Sequence, residues 1–173
     1  MNFVIQKATP EMYPDIVSLI RTVYNSMEQK EWYAADNDEY TLEMLLSRRG
    51  TAFVAIEEKT AALAAVFMVT YPGQSDENLG LDIALPSEEL LLVAHMDSAA
   101  VLPSYRGHKL QQRLMKFAET HLQDNGYRYL CCTIHPENKY SLNSALSLGY
   151  QIMTTCEKYG GYLRAVLMKV LPK

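Results

Sequence analysis

Apolar residues recur every three or four positions in four stretches of the chain, which is the spacing of a helix with one buried face. These stretches are 10–27, 38–49, 109–125 and 140–148. The third is the strongest, since a single stripe collects Leu110, Leu114, Phe117, Ala118 and Leu122. A glycine, which commonly ends a helix, follows each of the last three stretches: Gly50, Gly126 and Gly149. The pattern therefore predicts four helices.

Short apolar runs bounded by turn residues predict the strands. They are 3–5, 52–57, 61–70, 90–102, 129–134, 151–155 and 162–170. Only three polar residues separate the second run from the third, which predicts a hairpin. The order β-α-α-β-β-β-α-β-α-β-β indicates a mixed α/β sheet with helices on its faces. A poorly periodic loop follows residues 71–73, and long loops in compact domains are usually functional or disordered.

Length and composition place the chain among ordinary globular proteins. Its 173 residues predict one domain over 1–173, and its apolar fraction of 49% can build a core without a metal or disulfide staple. The net charge of −4 argues against a nucleic-acid partner. Three cysteines, two of them adjacent, fit neither a disulfide framework nor a zinc site, and they are typical of a reducing compartment.

Nothing in the sequence suggests secretion or membrane insertion. The first residues lack the basic and apolar regions of a signal peptide. The longest apolar stretch, 61–69, falls far short of the roughly 20 residues that a membrane span needs. We therefore expect a cytoplasmic protein with no membrane partner.

The segment 101–110 contains the clearest signal for a ligand. A strand ends at Pro103, and a turn with Gly107 leads into the strongest helix. The first turn of a helix exposes backbone N–H groups and a partial positive charge, and glycine lets an anion approach them. Basic residues recur nearby: Arg106, Lys109, Arg113 and Lys116. The segment fits a phosphate or pyrophosphate, and it also fits an ordinary turn with a solvated basic edge. Neither common nucleotide-binding glycine motif occurs in the chain.

At this point the chain resembles the GNAT acetyltransferase superfamily, which binds acetyl-CoA. The family motif is a strand, then Pro-x-Tyr/Phe-Arg-Gly-x-Gly-Leu/Ile-Gly/Ala, then a helix, and this chain has Pro103-x-Tyr105-Arg106-Gly107-x-x-Leu110. Lys109 and Gln111 replace the small residues usual in the family. A second family motif, Asn-x-x-Ala with a later Gly-Phe/Tyr, is similar to Asn138-Lys139-Tyr140-Ser141 followed by Gly149-Tyr150.

The resemblance implies a GNAT-type α/β fold, with a mixed, mostly antiparallel sheet flanked by helices on both faces. It also implies an N-acetyltransferase that uses acetyl-CoA as co-substrate and no metal. The implied coenzyme-binding residues are Ala99, Val101, Arg106, Gly107, His108, Lys109, Leu110, Gln111, Asn138 and Ser141. Homodimers are common among relatives, so a homodimer is possible.

Acetyl transfer to an amine needs a base, because an amine with a pKa near 10.4 is neutral in about one molecule in 2,500 at pH 7. His95 and Asp97 alternate on the strand before the turn, so we expect both on one face as candidate catalytic bases. They can equally be a core histidine and a hydrogen-bonding aspartate. A backbone N–H within 99–101 is the candidate donor to the oxyanion.

The general acid is left open. By the resemblance, the family's tyrosine that protonates the leaving thiolate falls at Ala145. The thiolate therefore leaves through water, or another tyrosine supplies the proton. Tyr140 and Tyr159 are the candidates.

In the family, the first two helices and the loops beside the sheet select the acceptor. Here ten of the twenty acidic residues lie in 28–39 and 72–90. Such stretches are typical of solvated loops, and they would also suit a small cationic amine.

Two other functions compete with this one. The altered glycines and Ala145 also fit a catalytically inactive acyl-CoA-binding module. Acylation of amines on aminoacyl-tRNA is disfavoured by the acidic balance.

Overall fold

Seven segments rich in β-branched and small apolar residues pair into one sheet. The computed structural model describes residues 1–34 and 36–173. Its strands are β1 (Phe3–Lys7), β2 (Gly50–Glu57), β3 (Leu63–Thr70), β4 (Val93–Val101), β5 (Tyr129–Ile134), β6 (Gln151–Lys158) and β7 (Tyr162–Val170). They lie in the order β1-β2-β3-β4-β5-β7-β6. Only β4 and β5 pair in parallel, so the predicted mixed, mostly antiparallel sheet is confirmed.

Four α-helices cover the two faces of this sheet. They are α1 (Tyr13–Asn25), α2 (Asp38–Leu46), α3 (Leu110–Asp124) and α4 (Lys139–Ser147). On one face, α1 and α2 pack Ile16 and Leu45 against Val54 and Val66 of β2 and β3. On the other face, the apolar stripe of α3 packs in a core cluster with Phe53, Val69 and Leu167. Among the described residues, no helix is both long and apolar enough to cross a membrane.

Several predicted boundaries are wrong. Helix α2 ends at Leu46, and Arg48 turns the chain with a φ of 60°. Gly50 is therefore the first residue of β2, where a Cβ would lie 3.2 Å from the Val69 carbonyl oxygen. Residues 90–92 belong to a 3₁₀ helix, Ser87–Leu92, so β4 begins only at Val93. Strand β6 runs three residues past the predicted end because its ladder with β7 continues to the Lys158–Tyr162 pair.

The parallel pair β4–β5 is short, and this creates an opening in the sheet. Only Val93–His95 pair with Tyr129–Cys131. Beyond these positions β4 stays hydrogen-bonded to β3, while β5 stays bonded to β7. The two strands therefore part toward their carboxyl ends, next to the turn that leads into α3.

Candidate active site

A β-bulge sets the position of Asp97. Along β4, Met96 pairs with Val69 and Ser98 pairs with Met68, so Asp97 has no partner residue on β3. A bulge re-aims a side chain and leaves local backbone groups outside the ladder. It places Asp97 at the point where β4 separates from β5.

The opening between β4 and β5 forms a cavity, called here the splay cavity. Five of its lining residues are predicted site residues: Asp97, Ala99, Gln111, Asn138 and Ser141. Its other lining residues are Trp32, Tyr33, Phe67, Met96, Ser98, Met115, Cys132, Thr133, Ile134 and Ala145. The two sequence motifs therefore meet at one cavity.

A second cavity lies on the opposite face, between the sheet and the first two helices. This helix-side cavity shares Tyr33, Asp97 and Ser98 with the splay cavity. It is also lined by Ile20, Ala34, Asp36, Tyr40, Thr41, Met44, Met68 and Thr70. An outer groove along α1 continues from it and shares Ile20, Asp36 and Thr41. The three spaces form a row, with Asp36 at the outer junction and Asp97 at the inner one.

Asp97 has the protonation behaviour of a base that works near neutral pH. Asp97 is exposed to solvent in the cleft, yet the protein around it disfavours the charged form. This desolvation, with the charge of Asp36, raises the pKa of Asp97 to about 7, and a hydrogen bond from Ser98 opposes the rise. Such a carboxyl is both ionised and basic enough at neutral pH to accept a proton.

His95 has different surroundings. Its Nε2 accepts a hydrogen bond of 3.0 Å from the backbone N–H of Leu79. Burial, with the nearby charge of Lys158, lowers the pKa of His95 to about 4. No hydrogen bond joins these two described residues, His95 and Asp97. The expected catalytic role of His95 stays a prediction, but its lone pair is already engaged in holding the 73–92 loop.

The turn before α3 is built to expose backbone. Gly107 has a φ of +84°, and nothing lies within 4 Å of the position a Cβ would take. Lys109, just before α3, is left-handed with a φ of 55°. The glycine that the family usually has there would adopt this backbone without strain. The turn thus offers free amides at the start of α3, with Arg106 and Lys109 beside them.

The side chains of several predicted coenzyme-binding residues have structural partners. The Leu110 side chain is buried in the core, and Val101 packs against the same core. His108 lies beside the Phe3 ring, 5.3 Å between centroids. The Asn138 side chain accepts a hydrogen bond from the N–H of Ser141, which caps α4.

Arg113 has structural partners on β1. Its guanidinium donates a 3.2 Å hydrogen bond to the Phe3 carbonyl and lies over the Phe3 ring. It ties α3 to β1, beside the Phe3 ring that His108 also contacts.

The tyrosine candidates for the general acid are placed very differently. Tyr140 is 89% exposed. The Tyr159 hydroxyl lies 2.9 Å from the Thr133 hydroxyl, and burial raises the pKa of Tyr159, with a smaller contribution from Asp97. Thr133 lines the splay cavity, and so does Ala145, which has no group that could donate a proton. Of the two tyrosines, Tyr159 is the one near the site.

Some site residues escaped the sequence analysis. Ser98, Thr133 and Tyr33 line the splay cavity, and burial raises the pKa of Tyr33 to about 12. A bulge and a strand divergence bring them together, and neither has a signature in the hydrophobic pattern. The only available signal was the position of Trp32 and Tyr33 within the acidic stretch 28–39.

Negative charge reaches the helix-side cavity from three separate elements. Asp36 precedes α2, Glu77 lies in the loop after β3, and Asp97 lies on β4. Burial, together with the charge of Glu77, raises the pKa of Asp36. The described residues that line this cavity include no basic side chain. The same part of the chain holds no cluster of His, Cys, Asp and Glu suited to a metal ion.

Comparison with known proteins relates this geometry to one family. A family model described as Acetyltransferase (GNAT) family matches residues 14–150. No curated protein matches the sequence significantly.

Solved structures share the fold at low identity. A GCN5-related N-acetyltransferase from Kribbella flavida is 18% identical, with a TM-score of 0.72 and 98% of each chain covered. A GNAT-family acetyltransferase from Streptococcus pneumoniae is 16% identical, with a TM-score of 0.74 and coverage of 99% of this chain and 100% of that one. A phosphinothricin acetyltransferase from Sinorhizobium meliloti, in complex with acetyl-CoA, is 13% identical, with a TM-score of 0.71 and coverage of 99% and 89%.

Proposed function

The chain belongs to the GNAT acetyltransferase family, and we propose that it transfers the acetyl group of acetyl-CoA to a small, cationic primary amine by direct attack on the thioester. The observation that supports this most is the row of cavities with Asp97 at a junction. One cavity reaches the first turn of α3 at Gln111, and the other is lined by acidic side chains. This arrangement suits a reaction between the polyanionic acetyl-CoA and a cationic amine.

The turn before α3 suits the diphosphate of coenzyme A. Free amides at a helix start bind phosphate, and the open space over Gly107 lets an anion approach them. Arg106 and Lys109 add positive charge at the same place. The splay cavity then leads from Gln111, in the first turn of α3, to Asp97, with Ala99 and Ser141 among its other lining residues.

Asp97 is the proposed base. Its carboxylate takes a proton from the ammonium group of the acceptor, and the freed nitrogen forms a bond to the carbonyl carbon of the thioester. A backbone N–H within 99–101 stabilises the oxyanion. The carbonyl re-forms as the C–S bond breaks, the thiolate leaves with its electron pair, and the attacking nitrogen loses its second proton to water. A thiolate with a pKa near 8.5 is a stable leaving group, so protonation by water is sufficient in the absence of a side chain at Ala145.

The acidic helix-side cavity is the proposed acceptor site. Carboxylates from three elements repel one another there, as the raised pKa values of Asp36 and Asp97 indicate. A cationic amine would relieve that repulsion when it binds. The aromatic rings of Tyr33 and Tyr40 add surfaces that favour a cation. A neutral or anionic amine would gain none of this.

An inactive acyl-CoA-binding module is the second candidate, since Ala145 lacks the family's hydroxyl. A panel experiment separates the two. Thiol release from acetyl-CoA is followed with a monoamine, a diamine, a basic amino acid and an acidic amino acid, and acetyl-CoA binding is measured by calorimetry. We expect release with the cationic amines and not with the acidic amino acid. Binding heat without release for any amine supports the module, and absence of both contradicts the proposed function.

A further inference from the structure

Arg164 is a buried cation that the proposed reaction does not use. It lies on β7 and is 2% exposed. Among the described residues it has no carboxylate partner within salt-bridge distance. Its hydrogen bonds go to backbone, to the Leu163 carbonyl at 2.9 Å and the Glu31 carbonyl at 2.6 Å. Burying a charge is costly unless its contacts compensate. The hydrogen bond to the Glu31 carbonyl is therefore a contact on which the burial of Arg164 depends.

The carbonyl of Glu31 belongs to a segment that spans the opening of the sheet. The bridge segment, residues 30–33, consists of the 3₁₀ helix Lys30–Trp32 and Tyr33. It follows α1, which packs over β2 to β4. Arg164 instead belongs to the other part of the sheet, β5 to β7. The Glu31–Arg164 hydrogen bond therefore joins the two parts across the splay cavity.

A second contact holds the bridge segment on the same side. The Trp32 ring stacks on His135, just after β5, with 6.2 Å between centroids and 27° between planes. Trp32 and Tyr33 both line the splay cavity. The indole Nε1 of Trp32 is buried and has no hydrogen-bond partner among the described residues. A donor left unpaired beside a cavity is suited to meet an acceptor atom of a bound substrate.

We propose that Arg164 is a positioning residue, whose guanidinium holds the bridge segment across the opening between β4 and β5 so that Trp32 and Tyr33 enclose the reacting groups. The effect of this role on catalysis rests on the proposed function. The docking of residues 30–33 onto β7 does not depend on the proposed function. Enclosure would orient the amine and keep water away from the thioester.

Trp32 is the only tryptophan in the chain, so its fluorescence reports directly on the bridge segment. The test compares Arg164→Met with Arg128→Met. Arg128 lies over the Tyr129 ring at the other end of β5, away from the bridge segment, and serves as the matched control. In Arg164→Met we expect Trp32 emission at longer wavelength and stronger quenching by acrylamide. Arg128→Met should leave the emission wavelength and the acrylamide quenching of Trp32 unchanged. The melting temperature of each variant is measured to show that it is folded.

The kinetic expectation separates positioning from stability. Misplacement of a substrate-orienting group by about 1 Å can cost up to roughly 100-fold in rate, so Arg164→Met should raise the KM for the amine about tenfold or more. It should also increase thiol release in the absence of amine, while the KM for acetyl-CoA stays within about twofold. A purely structural role would lower the melting temperature without changing the KM for the amine relative to the KM for acetyl-CoA. Arg164→Lys keeps a donor and should lie between the parent and Arg164→Met.

The outcomes are distinguishable. If Trp32 fluorescence in folded Arg164→Met equals that of the parent, or if it changes while the kinetics stay normal, the positioning role is wrong. If Arg164→Met does not fold, the same comparison is made between Arg164→Lys and Arg128→Lys. A parent protein that neither binds acetyl-CoA nor releases thiol contradicts the proposed function, and the fluorescence then still decides whether Arg164 docks the bridge segment.

Discussion

The proposed coenzyme side and the proposed acceptor side of the site are built in opposite ways. The coenzyme side is one continuous stretch, from Pro103 to the first turn of α3, and it presents backbone amides around Gly107. The acceptor side combines side chains from three distant places: Asp36 before α2, Glu77 in the loop after β3, and Asp97 on β4. A ligand shared by a family can be bound through backbone, whereas selection among amines requires side chains.

The two sides also differ in charge. Arg106 and Lys109 border the turn, while the helix-side cavity has acidic residues and no basic side chain among its described lining residues. This separation favours a polyanionic coenzyme at one end and a cation at the other. Asp97 lies between the two, so a change there should affect chemistry without affecting coenzyme binding.

The largest expected effect is that of Asp97→Asn. Removal of a general base typically costs about 10²- to 10⁴-fold in turnover, and acetyl-CoA affinity should stay unchanged. In the parent, kcat/KM should decline as pH falls through about 7, because protonated Asp97 cannot accept a proton. Steady-state kinetics across pH, with calorimetry for acetyl-CoA, measure both effects.

His95→Gln is the comparison for this prediction. The Nε2 of His95 is already bonded to the Leu79 N–H, and glutamine can still accept that hydrogen bond. Turnover should fall far less than in Asp97→Asn. An equal loss in both variants would mean that the two residues act as a unit.

The next effect is on coenzyme binding alone. Gly107→Val places a branched side chain at a φ of +84°, in the space through which a diphosphate would approach. Strain of about 1–3 kcal/mol, together with the blocked approach, should weaken acetyl-CoA binding roughly 10- to 100-fold. Calorimetry measures this affinity.

Gly126→Val is the matched control for the turn. Gly126 has a φ of +82°, and it likewise has nothing within 4 Å of a Cβ, but it lies at the far end of α3. It should lose stability without losing acetyl-CoA affinity. Equal affinity losses in the two variants would show that strain, and not the ligand's approach, explains the result for Gly107.

A smaller effect is expected at the acceptor side from Asp36→Asn. Loss of one partly exposed charge contact is worth about 0.2–1 kcal/mol, so the KM for a cationic amine should rise up to about fivefold. Because the charge of Asp36 raises the pKa of Asp97, its removal should also move the acidic decline of kcat/KM to lower pH. Asp76→Asn, in the same loop as Glu77, is the control and should change neither. A shift to higher pH would contradict the assigned coupling.

The smallest effect tests the strained residue of the turn. Lys109→Gly relieves a left-handed backbone that costs an ordinary residue about 1–2 kcal/mol, while glycine loses about 0.5–1 kcal/mol through its freedom in the unfolded chain. We expect a gain of up to about 1 kcal/mol in the free energy of unfolding in urea, with weaker acetyl-CoA binding. Lys109→Ala keeps the strain and removes the ammonium, so it should lose affinity without gaining stability.

The sequence signals for the proposed coenzyme side are local, whereas the proposed acceptor side depends on contacts between distant parts of the chain. Helical spacing, Pro103 and Gly107 are local signals, and one motif contains them all. The position of Asp97 instead depends on a bulge opposite Val69 and Met68, and that of Tyr33 on the docking of the bridge segment onto Arg164. These are contacts between residues far apart in the chain. His95 shows the same limit, since only the folded loop supplies the Leu79 N–H.

The brevity of the β4–β5 ladder has a mechanical consequence. Among the described residues, the strand pairing between the four-stranded part β1 to β4 and the three-stranded part β5 to β7 is limited to Val93–His95 with Tyr129–Cys131, and one further backbone hydrogen bond, from Arg128 to Leu92, precedes it. This short pairing is the least stable part of the sheet, so we expect protection against amide hydrogen exchange to be lost there first. A ligand bound in the splay cavity would contact both parts of the sheet and would stabilise them against separation.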